Sequence, residues 1–165
     1  MAQGPIVLIG FMGVGKTTVG KAIANEWACL FTDLDARIET THGPIDTLFA
    51  MHGEAHFRKL EHQALQQALE LNGGVMATGG GIVTHAESAQ LLKSCPHVVW
   101  LQAPFHVVLA RIQADKSVVR PLADDHIQHR FQERQALYQA CATHTIHTHE
   151  KSVEEIAKKI INGYR

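Results

Sequence analysis

Eight consecutive residues near the start of the chain carry the clearest chemistry. Gly10-Phe11-Met12-Gly13-Val14-Gly15-Lys16-Thr17 contains glycine, glycine, lysine and threonine at the spacing G-x-x-x-x-G-K-[ST], the pattern of a phosphate-binding loop. Glycines let the backbone curl until successive N–H groups converge on phosphate oxygens, and the helix that follows points its N-terminus at the same place. Lys16 supplies a point charge for the β- and γ-phosphates, and the Thr17 hydroxyl is a hard oxygen ligand suited to Mg²⁺. The stretch is expected to bind a nucleoside triphosphate through Gly13, Val14, Gly15, Lys16, Thr17 and Thr18.

A second set of residues breaks the local pattern around it. Around the helix expected from Glu54, Phe57, Leu60, Ala64, Leu65 and Ala68 make one apolar side. Glu61 falls among them and Arg58 at their edge. In the helix expected before Ala142, Ile127, Phe131, Tyr138 and Cys141 form one face, with Arg134 in the middle of the stripe. A charge facing a core is costly unless it is paired or lines a polar cleft. Arg58 and Glu61 at i, i+3 can pair internally while Arg134 snorkels to the surface. Alternatively, two inward guanidinium groups beside a phosphate site hold an anionic second substrate, because their fork matches carboxylate and phosphate. Both readings stand at this point.

Asp33 and Asp35 end a short apolar run, where open parallel sheets place ligands. If the chain is extended there, spacing of two puts both carboxylates on one face, one near a Mg²⁺ shell and the other receiving a proton from an attacking hydroxyl. The alternative is that Asp35 only caps the next helix. Gly79-Gly80-Gly81 lets backbone amides approach a ligand closely or forms a plain turn. Arg120, in the stretch 114–123 that lacks periodicity and reads as a mobile lid, is either an arginine finger supplied in cis or a solvated charge.

The elements that must hold these residues alternate between strand and helix. Apolar runs at 5–10, 30–33, 75–78 and 97–101, with a possible fifth strand at 145–148, read as strands. Helices are expected at about 15–28, 36–41, 44–52, 54–71, 85–93, 104–113, 125–142 and from 153 onward. Thr84-x-x-Glu87 and Ser152-x-x-Glu155 are capping boxes, and Asp124 or Asp125 should cap the helix before Ala142. This alternation predicts a three-layer α/β/α fold around a central parallel sheet in a single domain spanning 1–165.

Composition excludes several classes. With 15 Lys and Arg against 16 Asp and Glu, the formal net charge is −1, so there is no electrostatic case for nucleic acid or an anionic membrane. No run approaches the roughly 18 apolar residues that cross a bilayer, and the first residues lack a basic leader pattern. Three widely spaced cysteines suit a reducing compartment, and a cytoplasmic location is expected. The 12 histidines show no zinc-like spacing, although His144, His147 and His149 are close together.

Taken together these segments resemble the shikimate kinases, small P-loop kinases of the nucleoside monophosphate kinase fold. The resemblance runs nearly end to end: the phosphate loop at 10–17, Asp33-Leu-Asp35-Ala-Arg-Ile-Glu39 as D-x-D-x-x-I-E, and Gly53-Glu-Ala-His-Phe-Arg58-Lys-Leu-Glu61 as G-E-x-x-F-R-x-x-E. Ala77-Thr-Gly-Gly-Gly81, Arg120-Pro-Leu and Arg134-Gln-Ala-Leu-Tyr138 complete it. The resemblance implies a five-stranded parallel sheet, a shikimate-binding helical region at about 34–61, and transfer of the ATP γ-phosphoryl to the 3-hydroxyl of shikimate, in aromatic amino-acid biosynthesis. It implies that Arg58 and Arg134 hold the shikimate carboxylate, with Gly79, Gly80 and Gly81 at its ring. Asp35 would bind ring hydroxyls as base or orienter, and Asp33 would support Mg²⁺ beside Thr17. Lys16 and Arg120 would neutralise the transferring phosphoryl, Arg111 would lie against adenine, and the enzyme would be a monomer. Pro44 and Ala123 depart from the family pattern without touching the chemistry, and residues 148–152 match its adenine-side loop least well. The competing readings are another small-metabolite kinase, such as a gluconate kinase, and an ATP-binding module without catalysis.

Overall fold

In a computed structural model, residues 4–71, 73–115 and 126–164 are described. Their order is β1 (Ile6–Ile9), α1 (Lys16–Trp27), β2 (Phe31–Asp33), α2 (Leu34–His42), α3 (Ile45–Leu69), β3 (Val75–Ala77), a 3₁₀ turn (Ile82–Thr84), α4 (Ala86–Lys93), β4 (Val98–Gln102), α5 (Phe105–Ala114), α6 (Ile127–Cys141), β5 (His144–His147) and α7 (Val153–Tyr164). The five strands form one parallel sheet in the order β2-β3-β1-β4-β5.

Ile6-Val7-Leu8-Ile9 is wholly buried, as a strand covered on both faces must be, and it takes the middle of the sheet. At the rim, β5 buries only Ile146, the pattern of an edge strand. Helix α1 packs against α7, while α4 and α6 pack on each other and on the 3₁₀ turn. After β2 the chain returns to lay β3 beside β1, then crosses to β4 on the other side. That reversal opens a crevice beyond the carboxyl ends of β1, β3 and β4, which is where the phosphate loop, Gly79–Gly81 and Asp33 emerge.

Several boundaries differ from expectation for local reasons. The two helices expected at 44–52 and 54–71 run together as α3, broken only at Gly53, whose φ of 81° and ψ of 174° lie in a region that essentially only glycine enters. Thr84 does not cap α4. It closes the 3₁₀ turn by donating its hydroxyl to Gly81 O at 2.6 Å, and His85 is the cap, its Nδ1 accepting from the Ser88 N–H at 3.4 Å. The Asp124 or Asp125 cap lies outside the described residues. The Ser152–Glu155 capping box forms reciprocally, at 2.7 and 3.2 Å. The fifth strand appears one residue earlier than expected.

Candidate active site

The phosphate loop folds as its residue types require. It runs from the buried end of β1 into α1, with Gly15 as the residue before the first turn, so the free amides of that turn face the crevice. Residues 12–19 line a cavity of about 680 Å³ together with Asp33, Asp35, Thr78 and Gly80. Lys16 is buried, and its ammonium donates to the carbonyls of Gly10 at 2.6 Å and Phe11 at 3.0 Å. Its charge is therefore held over the loop rather than in solvent. Arg111 of α5 also lines the cavity, and its guanidinium donates to Val14 O at 3.1 Å and Gly13 O at 3.5 Å. It braces the loop from outside.

Asp33 does two jobs at once. One carboxylate oxygen accepts from the Ala36 N–H at 3.1 Å and so caps α2; the other accepts from the Thr17 hydroxyl at 2.9 Å. The condition that 33–35 be extended is not met beyond Asp33. Helix α2 begins at Leu34 because Asp33 caps it and Leu34 is drawn fully into the core, so Asp35 projects from the first helical turn. Asp33, not Asp35, is the capping residue. Both still reach the same cavity.

Beside it lies a second cluster, centred on α3. Arg58 is 6% exposed and donates to Glu61 at 2.8 Å and to Glu54 at 3.0 Å, while Glu61 is fully buried. The internal pair considered from the sequence therefore exists. The glycine loop explains why room remains: a Cβ on Gly81 would strike the Arg58 guanidinium, and one on Gly79 would strike Glu61 Oε1 and Asp35 Oδ1. At both positions the lack of a Cβ lets the ends of charged side chains lie directly against the backbone. Glu61 Oε1 has no hydrogen-bond partner among the described residues. Burial pushes the Glu61 carboxyl up to about 7, with Asp35 adding repulsion and Arg58 opposing both. Burial works against the Arg58 charge too, but its two carboxylate partners outweigh it and raise its pKa. The shared direction is clear: Arg58 stays charged, and Glu61 is near its protonation point at neutral pH.

Arg134 does not snorkel. It is 4% exposed, with its guanidinium carbon 5.6 Å from the Phe11 ring centroid, a stacked geometry that suits guanidinium over an aromatic face. Burial lowers its pKa, Tyr138 opposes that, and the Arg58 charge lowers it further. The residues at 58 and 134 thus sense each other across the crevice. Lys16, Thr17, Thr18, Asp33, Asp35, Gly80 and Arg111 are brought together around the cavity, whereas Arg58, Arg134, Gly79 and Gly81 are not among its lining residues; Gly79 adjoins Asp35, and Gly81 adjoins Arg58. Arg120 lies outside the described residues.

Residues missed from the sequence include Glu54, whose i, i+4 spacing to Arg58 was legible, and Tyr138, which is fully buried and donates its hydroxyl to the Gly80 carbonyl. Its place in an apolar stripe disguised it. Thr148 and Lys151, in the segment least like the family pattern, also line the cavity.

A triphosphate loop facing a carboxylate, with buried arginines behind, on a five-stranded parallel sheet, defines a P-loop phosphotransferase with a small-molecule acceptor. The comparisons make the assignment specific. The family model for shikimate kinase matches residues 12–165, and the chain belongs to that family. A shikimate kinase of Enterococcus faecalis is 43% identical over 161 residues, covering 94% of this chain and 95% of the relative. Among solved structures, a shikimate kinase from Acinetobacter baumannii in complex with shikimate superposes with a TM-score of 0.89 at 34% identity, covering 98% of this chain and 92% of that one. The enzyme from Aquifex aeolicus gives 0.80 at 36% identity, over 97% and 95%. The protein is an ATP-dependent phosphotransferase of the shikimate kinase family, which sets aside both the gluconate kinase and the non-catalytic readings. No helix among the described residues is long and apolar enough to cross a membrane.

Proposed function

We propose that Asp35 accepts a proton from, or orients, the 3-hydroxyl of shikimate while that oxygen attacks the γ-phosphorus of ATP and ADP leaves. The observation that carries this reading is the placement of Asp35 in the same cavity as Lys16, Thr17 and Asp33, because in-line transfer needs acceptor and donor in one enclosure. Arg58 and Arg134 take the shikimate carboxylate; both are buried cations held by neighbours, and a bound anion offsets the cost of burying them. Gly79, Gly80 and Gly81 offer backbone to the ring without a side chain in the way.

Thr17 and Asp33 present hard oxygens 2.9 Å apart at the cavity, a donor set that fits Mg²⁺ directly or through water. When bound, Mg²⁺ neutralises charge on the β- and γ-phosphate oxygens. Lys16 contributes positive charge at the transferring group, and Arg120, which lies outside the described residues, supplies a second cation there, as the family resemblance implies. Arg111 keeps the loop in shape and lies toward adenine, with Thr148 and Lys151 on the same side. The single domain works as a monomer in a reducing cytoplasm, where its three free cysteines persist.

The test is ADP release with ATP and Mg²⁺ across shikimate, gluconate and nucleoside monophosphates. Turnover with shikimate alone is expected. Turnover with one of the others, and none with shikimate, refutes the assignment. Omitting Mg²⁺ should abolish the rate.

A further inference from the structure

Tyr138 has a polar atom where packing alone needs none. Its ring is wholly buried and packs 5.8 Å from the Trp100 ring of β4. Phenylalanine would fill that volume without burying a hydroxyl, which is costly unless its hydrogen bonds are made. The hydroxyl donates to the Gly80 carbonyl. Arg134 lies one turn earlier on the same helix, and its charge acts on the Tyr138 hydroxyl.

These contacts meet at a junction of three segments. Gly80 presses on the phosphate loop, since a Cβ there would lie 3.0 Å from the Met12 nitrogen. The Arg134 guanidinium stacks over Phe11, which packs edge-on against Phe131 of α6 at 5.2 Å. The Tyr138 hydroxyl thus ties the helix that carries Arg134 to the glycine loop after β3.

We propose that Tyr138 is a positioning residue for the acceptor, fixing the Arg134 guanidinium and the Gly80 backbone at the separation that one bound shikimate spans. This rests on the assignment of Arg134 to the shikimate carboxylate. Guanidinium recognition is bidentate and directional, so a tilted fork loses affinity even when the charge remains. The ATP half of the site has hydrogen bonds of its own, made by Lys16, Thr17 and Arg111.

The test is steady-state kinetics of Tyr138→Phe, Arg134→Lys and the double variant, with ATP and shikimate varied in turn. Tyr138→Phe is expected to raise KM for shikimate about tenfold, the scale of one hydrogen bond to a charged group, with kcat and KM for ATP within about threefold. In the Arg134→Lys background the same change should add less than about threefold, because the fork it aligns is gone. An unchanged KM for shikimate, or equal losses for both substrates, overturns the proposal and leaves a purely structural tyrosine. If Arg134→Lys itself leaves KM for shikimate unchanged, the carboxylate assignment fails instead, and the two failures are distinguishable. A measurement on the unaltered enzyme serves even if Tyr138→Phe does not fold. The chain has two tyrosines, so ¹³C labelling at the tyrosine ring Cζ gives two signals. That of Tyr138 should move with shikimate and stay with ADP alone, while Tyr164 stays in both; a Tyr138 signal blind to shikimate refutes the role.

Discussion

Replacing Glu61 by glutamine tests how the acceptor cluster is balanced. The carboxyl is fully buried, and its pKa rises from 4.5 to about 7 because burial outweighs the pairing with Arg58. A raised carboxyl pKa means that the native state holds its proton more tightly than the unfolded chain does. Between about pH 4.5 and 7 the native protein binds more protons, so stability falls as pH rises, and above 7 the whole penalty is present. A rise of this size corresponds to about 3 kcal/mol. Glutamine keeps the shape and an oxygen facing Arg58 but cannot ionise. Urea unfolding of both proteins from pH 5 to 8 should therefore show the variant gaining on the wild type by about 3 kcal/mol as pH increases, less whatever is already lost at pH 5. His97 titrates with the opposite sign, since burial lowers its pKa, but it is common to both proteins and cancels in the difference. The wild type should also show a shikimate affinity that changes near pH 7, where Glu61 ionises beside Arg58, and the variant should not. A stability difference constant across this range would refute the reasoning, because it would mean that Arg58 keeps Glu61 ionised throughout.

Other substitutions separate the parts of the site. Asp35→Asn should keep ATP affinity, read by calorimetry, and slow phosphoryl transfer by roughly 10²-fold or more; a rate near wild type removes Asp35 from proton transfer. Gly53→Ala meets no atom within 4 Å of its new Cβ but must hold φ near 81°. It should destabilise the protein by about 1–3 kcal/mol through backbone strain alone, and an unchanged urea midpoint would show that the kink relaxes. Lys16→Met should weaken ATP binding and turnover together, since its ammonium is the charge held over the loop; unaltered ATP affinity would place the phosphates elsewhere.

Local chemistry in the sequence determined the strands and most helices, and it singled out the charged residues of the candidate site. Ile6-Val7-Leu8-Ile9 has to be buried on both faces, and the glycines before Lys16 have to make a phosphate loop. Arg58, Glu61 and Arg134 were conspicuous because helical arithmetic turned them toward the core. What the sequence left open was decided by contacts between segments far apart along the chain. Asp35 is a candidate cap of α2 in the sequence, but Asp33 takes that place because Leu34 enters the core and starts the helix. Whether Arg134 reaches solvent depended on Phe11 and Tyr138 enclosing it. The protonation of Glu61 depended on its complete burial against the glycine loop at Gly79, with Arg58 and Asp35 beside it. Tyr138 read as one more apolar stripe residue until the fold set Gly80 against its hydroxyl. Periodicity tells which way a side chain points; only the assembled neighbours fix what it meets, and hence its charge and its partner.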